Sequence, residues 1–356
     1  MKEPEPHHRP PAGVDPIEVA VVGATEAAGQ EVLAQLIERD FPLRRLRVLA
    51  DHERVTGEEI SFRGMEVREE LLSERAFEGV DLVIFAACAP DARRWGRAAA
   101  NAGAIVIDAT GSFAREAPVI VPEINPQAIP ECPGILACPS PATVALALVL
   151  DPLHAAAGVR RVVVSTYQAA SGIGRAGIDE LSAQSRAIFT GDEMDPDLFP
   201  HRLAFNLIPH TDAFETEGAL AGSTREEARI ATETPRILGS VDIRVTATAV
   251  RVPVFVGVAL SVNVEMERAL PLEKAREEIA AAPVLRLIDE PAFHLYPLPA
   301  EVAGRDDVFV GRMRVDPTVP HGLSFWAVAD DLRRGVGITV VGIAEALLKR
   351  DLFRPA

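Results

Sequence analysis

The sequence predicts an α/β protein of two domains, a doubly wound parallel sheet first and an α+β domain with a largely antiparallel sheet second. Three observations predict it. A β-type run, Glu18 to Val22, enters the turn Gly23-Ala-Thr-Glu-Ala-Ala-Gly29, and the helical spacing Val32, Leu33, Leu36, Ile37 follows at once. Short apolar β runs then alternate with helical periods as far as residue 140, the order expected of parallel strands joined by helical crossovers. Beyond that point the β runs lengthen and the alternation stops.

Taken in order, Glu18 to Val22 is the first strand, and the strand, glycine turn and helix together open a Rossmann-type unit. Leu46 to Ala50 and Leu82 to Ala86 read as further strands, Asp91 to Ala102 as a helix, and Ala104 to Ile107 as the next strand. A helix begins at Pro141: Ser140 suits the N-cap, and proline suits the first helical position, where a missing N–H costs nothing. Arg161 to Gln168, Arg244 to Val252, Val254 to Glu267, Val308 to Val315 and Leu323 to Ala329 are the longer strands, with helices near 175–190, 224–238 and 271–281 between them. Gly335 to Lys349 is a final amphipathic helix, with Val336, Val340, Ile343 and Leu347 on one stripe. The expected organisation is a disordered tail over 1–16, a dinucleotide-binding domain over 17–140 completed by the helix at 335–350, and a second domain over 141–334.

At 356 residues the chain is too long for one ordinary core. Its 48% hydrophobic and 25% charged residues are the balance of a soluble globular protein. A net charge of -16 argues against a nucleic-acid or anionic-membrane surface. Only 5% of residues are aromatic, which also disfavours base stacking. Cys88, Cys132 and Cys138 form neither a metal-ligand spacing nor an even disulfide set, as expected of a reducing cytoplasm. Met1 to Pro16 lacks the apolar core of a signal peptide, and its His7 and His8 read as part of a polar tail rather than as metal ligands. No apolar run reaches the ~18 residues a membrane span needs.

Five stretches carry a family resemblance: Gly23 to Gly29; Asp108 to Asn125, ending Pro-Glu-Ile-Asn; Ser165-Thr-Tyr-Gln-Ala-Ala-Ser-Gly-Ile-Gly174; Arg251-Val-Pro-Val-Phe-Val-Gly-Val-Ala-Leu-Ser-Val-Asn-Val-Glu265; and Leu323-Ser-Phe-Trp-Ala-Val-Ala-Asp-Asp-Leu-Arg-Arg-Gly335. Along nearly its whole length the chain resembles the aspartate-semialdehyde dehydrogenase family. The resemblance implies that the second domain is catalytic and forms a dimer. It also implies an NADP- and phosphate-dependent interconversion of L-aspartate 4-semialdehyde and aspartyl phosphate, through a cysteine thioacyl intermediate. Gln168 takes the place of the glutamine that orients the substrate carbonyl, Arg251 that of the substrate-carboxylate fork, and Arg229 that of a phosphate-contacting lysine beside Glu226. Glu226 and Arg229 stand three apart on a helix, so a surface ion pair is their plainer reading.

The departures fall on chemistry. Pro141 stands where the family has its nucleophilic cysteine, and Val258 where it has its acid/base histidine. Ala114 replaces a phosphate-binding arginine, with Arg115 one residue later, and Ile338 and Thr339 replace the residues that contact the nicotinamide. In the cofactor turn Gly23, Thr25 and Gly29 match, but Glu26 replaces the middle glycine, so NADP binding is weakened or lost. Arg54 matches the arginine of the ribose-side loop, among Asp51, Glu53 and Glu58. Two readings remain open. In the first the chain is a non-catalytic, homodimeric relative, similar to bacterial paralogues that lack the active-site cysteine; it binds a small anion, NADP or a paralogous subunit. In the second it is a working enzyme, either running the parent reaction with Cys138 recruited or, as a related oxidoreductase, another chemistry in the remaining pocket.

Overall fold

The computed structural model describes residues 15–51, 57 and 59–353. They divide into two compact units. One comprises the chain up to Pro118, Gln127–Cys138 and the chain from Val340 onward; the other comprises Val119–Pro126 and Pro139–Thr339. His7, His8, Arg54, Glu53 and Glu58 lie outside the described residues.

In the first unit β1 (Ile17–Val22) leads into α1 (Ala27–Glu38), and β2 (Leu43–Ala50) lies parallel to β1. A hairpin of β3 (Glu59–Phe62) and β4 (Met65–Leu71) follows, then β5 (Leu82–Phe85), α2 (Ala89–Asn101), β6 (Ile105–Asp108) and β7 (Ile135–Ala137). The seven strands run in the order β3-β4-β2-β1-β5-β6-β7, parallel except for the β3–β4 pair. Val19 to Val22 and Leu82 to Phe85 are fully buried, as unbroken apolar runs must be when a sheet is covered on both faces. β1 pairs with β2 on one side and β5 on the other. The strand order therefore reverses beside the turn at Gly23, the usual ligand crevice of such sheets.

The second unit begins with α3 (Pro141–Ala157) and continues through β8 (Val159–Gln168), α4 (Arg175–Thr190), α5 (Arg225–Ile237), β9 (Arg244–Arg251) and β10 (Val258–Met266). It ends with α6 (Leu272–Ala281), β11 (Leu285–Leu287), the short α7 (Pro299–Val302), β12 (Val308–Asp316) and β13 (Gly322–Ala329). Its six strands run β11-β12-β13-β10-β8-β9. The three central pairings are antiparallel, and the two outer ones, β11–β12 and β8–β9, are parallel. Ala142 to Leu150 of α3 is buried on every side, which marks a helix inside a core rather than on a surface. The last helix, α8 (Thr339–Lys349), buries Val340, Ile343 and Leu347 and, from Val340 onward, belongs to the first unit.

Three local features differ from expectation. The β3–β4 hairpin is new; its exposed Glu59, Ser61, Met65, Glu66 and Arg68 give it the charged character of an edge ribbon. Val254 to Gly257 is not strand: Pro253 supplies no donor, Gly257 takes φ 109, and the carbonyls of Val254 and Phe255 accept Ala170 and Ser171 N–H. Ahead of α8, Gly335 and Gly337 N–H donate five residues back, to Asp330 and Leu332, so Arg333–Ile338 is a wide π-type turn instead of regular helix.

Candidate functional site

The first turn of α3 is closed by its own side chains. Ser140 is the N-cap, its hydroxyl accepting Thr143 N–H and meeting Thr143 Oγ1 at 3.0 Å, and Pro141 holds the first helical position. A Cβ on Gly335 would lie 2.5 Å from Pro141 Cβ, so the proline ring packs directly against that backbone. Nothing at residue 141 can attack a carbonyl.

Register brings four side chains into one row. Val258 on β10 faces Ala329 on β13 and Gln168 on β8, and Gln168 faces Arg251 on β9. Residues directly opposite across a sheet share a face, so Val258, 1% exposed, adjoins Gln168. Valine offers no group that moves a proton. Gln168 Nε2 donates to Thr166 Oγ1 at 3.2 Å and to Glu226 Oε1 at 3.1 Å.

Helix α5 supplies the other wall. Thr224 and Glu227 form a reciprocal capping box, and Glu227 Oε1 also accepts Ala249 N–H, which fixes the helix to β9. Glu226 is buried, not on the surface, and its hydrogen-bond partner is Gln168; Arg229 pairs instead with Glu233, 1% exposed, at 2.8 Å. Thus Glu226 and Arg229 are not a surface ion pair: Glu226 is buried, and the buried carboxylate of Glu233 one turn onward pairs with the guanidinium. Glu233 also accepts Ser140 N–H, at 3.2 Å, so α5 and the start of α3 are bolted together. Burial pushes the Glu226 carboxyl up; Arg229 pulls it down, Glu233 pushes it up further, and hydrogen bonds with Ser140 and Gln168 pull it down.

Arg251 is buried and donates through Nη1 to Ala169 O at 2.6 Å. It lies so close to Gly172 that any side chain there would displace it. Burial draws its pKa down, against Asp331, Glu226 and Asp212, which raise it; an arginine nevertheless keeps its charge. Asp331 accepts Ser171 Oγ at 2.6 Å and Gly257 N–H at 2.7 Å, tying together the turn after β8, the entry to β10 and the exit of β13. Burial raises the Asp331 pKa against those two hydrogen bonds.

Pro141, Val258, Gln168, Glu226, Arg229 and Arg251 all sit in the second unit; register and a hydrogen bond link Val258, Gln168, Arg251 and Glu226, while Arg229 is tied through Glu233 to Ser140, beside Pro141. The cluster can present guanidinium donors to an anion; neither Pro141 nor Val258 can form a thioester or move a proton. Glu233, Ser171 and Asp331 complete it. Glu233 follows Arg229 by one helical turn, and that spacing is the sequence signal for it; Ser171 and Asp331 are too far apart in sequence to suggest each other.

In the first unit, Gly23 has φ 78, and a Cβ there would meet Ala87 Cβ at 2.8 Å. A Cβ on Gly29 would run into Gly23 O, so both glycines serve close packing of strand and helix. Thr25 is half-buried, and Glu26 is the N-cap residue of α1, exposed and making no side-chain capping bond. The turn keeps the shape that receives a pyrophosphate at a helix N-terminus, with a carboxylate added at its mouth. Cys138 is 1% exposed at the end of β7, and its N–H donates to Asp108 O. Ala114 is buried and Arg115 exposed. Thr339 is buried, its hydroxyl donating to Arg334 O at 2.9 Å. Among the described residues no group of three or more His, Cys, Asp or Glu is placed to hold a metal, and no helix is long and apolar enough to cross a membrane.

Comparison with known proteins agrees with this architecture. Residues 18–132 match the family model of the semialdehyde dehydrogenase NAD binding domain, and 150–334 that of the semialdehyde dehydrogenase dimerisation domain. The chain is 40% identical over 341 residues to aspartate-semialdehyde dehydrogenase of Aquifex aeolicus, covering 94% of this chain and 99% of the relative. It is 38% identical over 337 residues to that of a Synechocystis species, covering 94% and 98%. A crystal structure of aspartate semialdehyde dehydrogenase II from Vibrio cholerae, complexed with ASA, superposes with a TM-score of 0.88 at 36% identity, over 94% of this chain and 99% of that one.

Proposed function

Because the chain belongs to the aspartate-semialdehyde dehydrogenase family, we propose that it keeps the family scaffold as a homodimeric small-anion-binding protein without the family's thioacyl chemistry. The observation that supports this reading is the chemistry of two residues: Pro141 closes the first turn of α3, and Val258 stands in register with Gln168. Acyl transfer through a thioester needs a thiolate and a group to move the proton. Losing members of such a coupled pair removes about 10⁶ in turnover. Cys138 is buried at the end of a strand, and a reactive cysteine needs access and an environment that stabilises the thiolate. In this reading the chain stands with the family's non-catalytic bacterial paralogues.

The anion is held by Gln168, Arg229 and Arg251, with Glu226 setting the charge of the pocket. Two guanidiniums and an amide suit a carboxylate or a phosphate, with the planar fork of Arg251 recognising it in a bidentate manner. The first unit carries the family's NAD binding domain. Gly23, Thr25 and Gly29 at the turn, and Arg54 on the ribose side, would hold NADP there; the bound cofactor supplies hydride transfer. Glu26 weakens that binding.

The test is direct. Pure protein given L-aspartate 4-semialdehyde, NADP and phosphate yields no NADPH, while calorimetric titration with inorganic phosphate or succinate gives heat that Arg251→Met abolishes. Phosphate-dependent NADPH formation that disappears in Cys138→Ala would overturn the reading.

A further inference from the structure

Within the first unit, the crevice beside the Gly23 turn has β2 as one of its edges. β1 and β2 run parallel, with Val21 opposite Val48 and Val22 opposite Leu49, and Gly23 N–H donates to Leu49 O at 3.2 Å. The turn that leaves β1 and the residue that leaves β2, Asp51, therefore stand side by side at the carboxyl ends of neighbouring strands, which lie about 4.8 Å apart in a sheet. A Cβ on Gly23 or Gly29 would collide with its neighbours, and α1 begins inside the turn, so this backbone fits a pyrophosphate at a helix N-terminus. In sheets of this kind the adenosine ribose falls at the end of the next strand. An acidic residue about 20 positions beyond the glycines there binds the ribose 2′-hydroxyl, whereas an arginine accommodates a 2′-phosphate.

Asp51 is that acidic residue. It follows β2 directly, and its side chain is 21% exposed. Arg94, on α2, approaches it: Nη1 stands 4.0 Å from Asp51 Oδ2, with the guanidinium 4.8 Å from the centre of the Trp95 ring. A pair this long, with the arginine side chain 65% exposed, contributes little, so a ribose hydroxyl can compete for the carboxylate. A 2′-phosphate would meet the same two groups, and what it gains from the guanidinium it loses to the carboxylate. The sequence beyond adds to the negative side, since residues 51–58 hold three carboxylates, Asp51, Glu53 and Glu58, against the one guanidinium of Arg54.

We infer that Asp51 reads the adenosine ribose, so that the first unit takes NAD in preference to NADP, the cofactor that the family resemblance implies. The inference rests on the reading that the turn at Gly23 still receives a dinucleotide. A carboxylate accepts charge-assisted hydrogen bonds from the hydroxyls of a ribose, and it repels the phosphate dianion that replaces one of them. Both effects act in the same direction, and both act on binding alone, whatever chemistry the second unit retains or lacks.

Fluorescence titration of the pure protein with NADH and with NADPH, at one ionic strength, tests it. NADH binds at least ~10-fold more tightly than NADPH, as one charged hydrogen bond gained and one like-charge contact avoided require. Asp51→Ser reverses the order, the NADH Kd rising and the NADPH Kd falling by about tenfold each. Asp51→Asn, which keeps the shape and an accepting oxygen, tightens NADPH while weakening NADH less than the serine does. Glu26→Gly tightens both nucleotides and leaves their ratio unchanged, because its carboxylate is at the mouth of the turn and not at the end of β2. Urea unfolding checks that each variant is folded. If neither nucleotide binds the wild type or Glu26→Gly, the dinucleotide reading is overturned and this inference with it. NADPH bound as tightly as NADH by the wild type, or a ratio that both Asp51 variants leave unchanged, overturns this inference alone.

Discussion

Restoring the two absent groups, Pro141→Cys together with Val258→His, asks whether the remaining pocket still has the shape of a catalytic site. Residue 141 opens α3 beneath a Ser140 cap that is already formed. A thiolate there gains about 0.3–1 kcal/mol from the helix dipole, which lowers its pKa by up to ~0.7 units. Losing the proline returns freedom to the unfolded chain and costs about 0.4–1 kcal/mol. At residue 258 an imidazole replaces an isopropyl group in a packed, buried row, an enlargement that costs about 1–3 kcal/mol, with Ala329 the small neighbour that gives it room. The pair thus lowers stability by about 1.5–4 kcal/mol, within the ~5–15 kcal/mol a native protein holds.

The assay is phosphate-dependent NADPH formation from L-aspartate 4-semialdehyde, followed by absorbance, with urea unfolding as the check on fold. Nucleophile and base act as a unit. Each single variant therefore stays near the wild-type background, while the double variant exceeds either by about 10²–10⁴. Repeating the pair in a Glu26→Gly background separates a cofactor defect from a pocket defect. If the double variant is folded, binds NADPH in that background and still turns over no faster than the wild type, then Gln168, Glu226, Arg229 and Arg251 do not compose a carbonyl-orienting pocket, and the reasoning from register fails.

Two further outcomes follow. Glu26→Gly tightens NADPH binding about tenfold in a fluorescence titration at low salt; a carboxylate about 4 Å from a phosphate costs ~4 kcal/mol at an effective dielectric near 20 but only ~1 kcal/mol in water, and Glu26 is exposed. Equal affinity in the two proteins would remove Glu26 from the account. Burial raises the Glu226 pKa in the folded protein above its ordinary 4.5, so the folded state holds a proton that the unfolded chain has released. The linked stability is fully present below that ordinary value and is lost as pH rises through the folded pKa. Glu226→Gln, which cannot ionise, therefore gains on the wild type in chemical denaturation as pH is raised from 4.5 through that window. A difference between the two proteins that does not change with pH would contradict the raised pKa.

How much of this was readable from the sequence depends on the range of the interaction. Ser140 and Pro141 announce a helix start because capping is settled within four residues. The first unit's strands announce themselves because Val19 to Val22 and Leu82 to Phe85 are buried on both faces. The β3–β4 hairpin gives no such sign, since the alternation of Ile60 and Phe62 in β3 spans only four residues and β4 is mostly charged, and β7 and β11 are three residues each, too short for any period to register. The site divides the same way. Gln168, Val258 and Arg251 could be singled out from the stretches that contain them, but their alignment in one row is a property of pairing among β8, β9 and β10. Glu226 and Arg229 looked like partners because spacing on a helix is visible; that Gln168 and Glu233 take them instead depends on burial, which is not.

The residues of the row and those beside it differ in what the fold asks of them. Pro141 is apolar and half-buried and Val258 is apolar and buried, and each suits its surroundings: the proline closes a helix start, and the valine fills a dry position between Ala329 and Gln168. Glu233 and Arg229 are different. Removing either partner of a buried pair leaves an uncompensated charge, at about 3–5 kcal/mol, reduced for the part of Arg229 that reaches solvent. Glu233 in addition holds the N–H at the start of α3, and Asp331 holds three strand ends together. These groups are therefore required by the fold whatever the pocket does. Gln168 is not: it is half-buried, at the end of a strand, and its bonds to Thr166 and Glu226 tie no separate strands together.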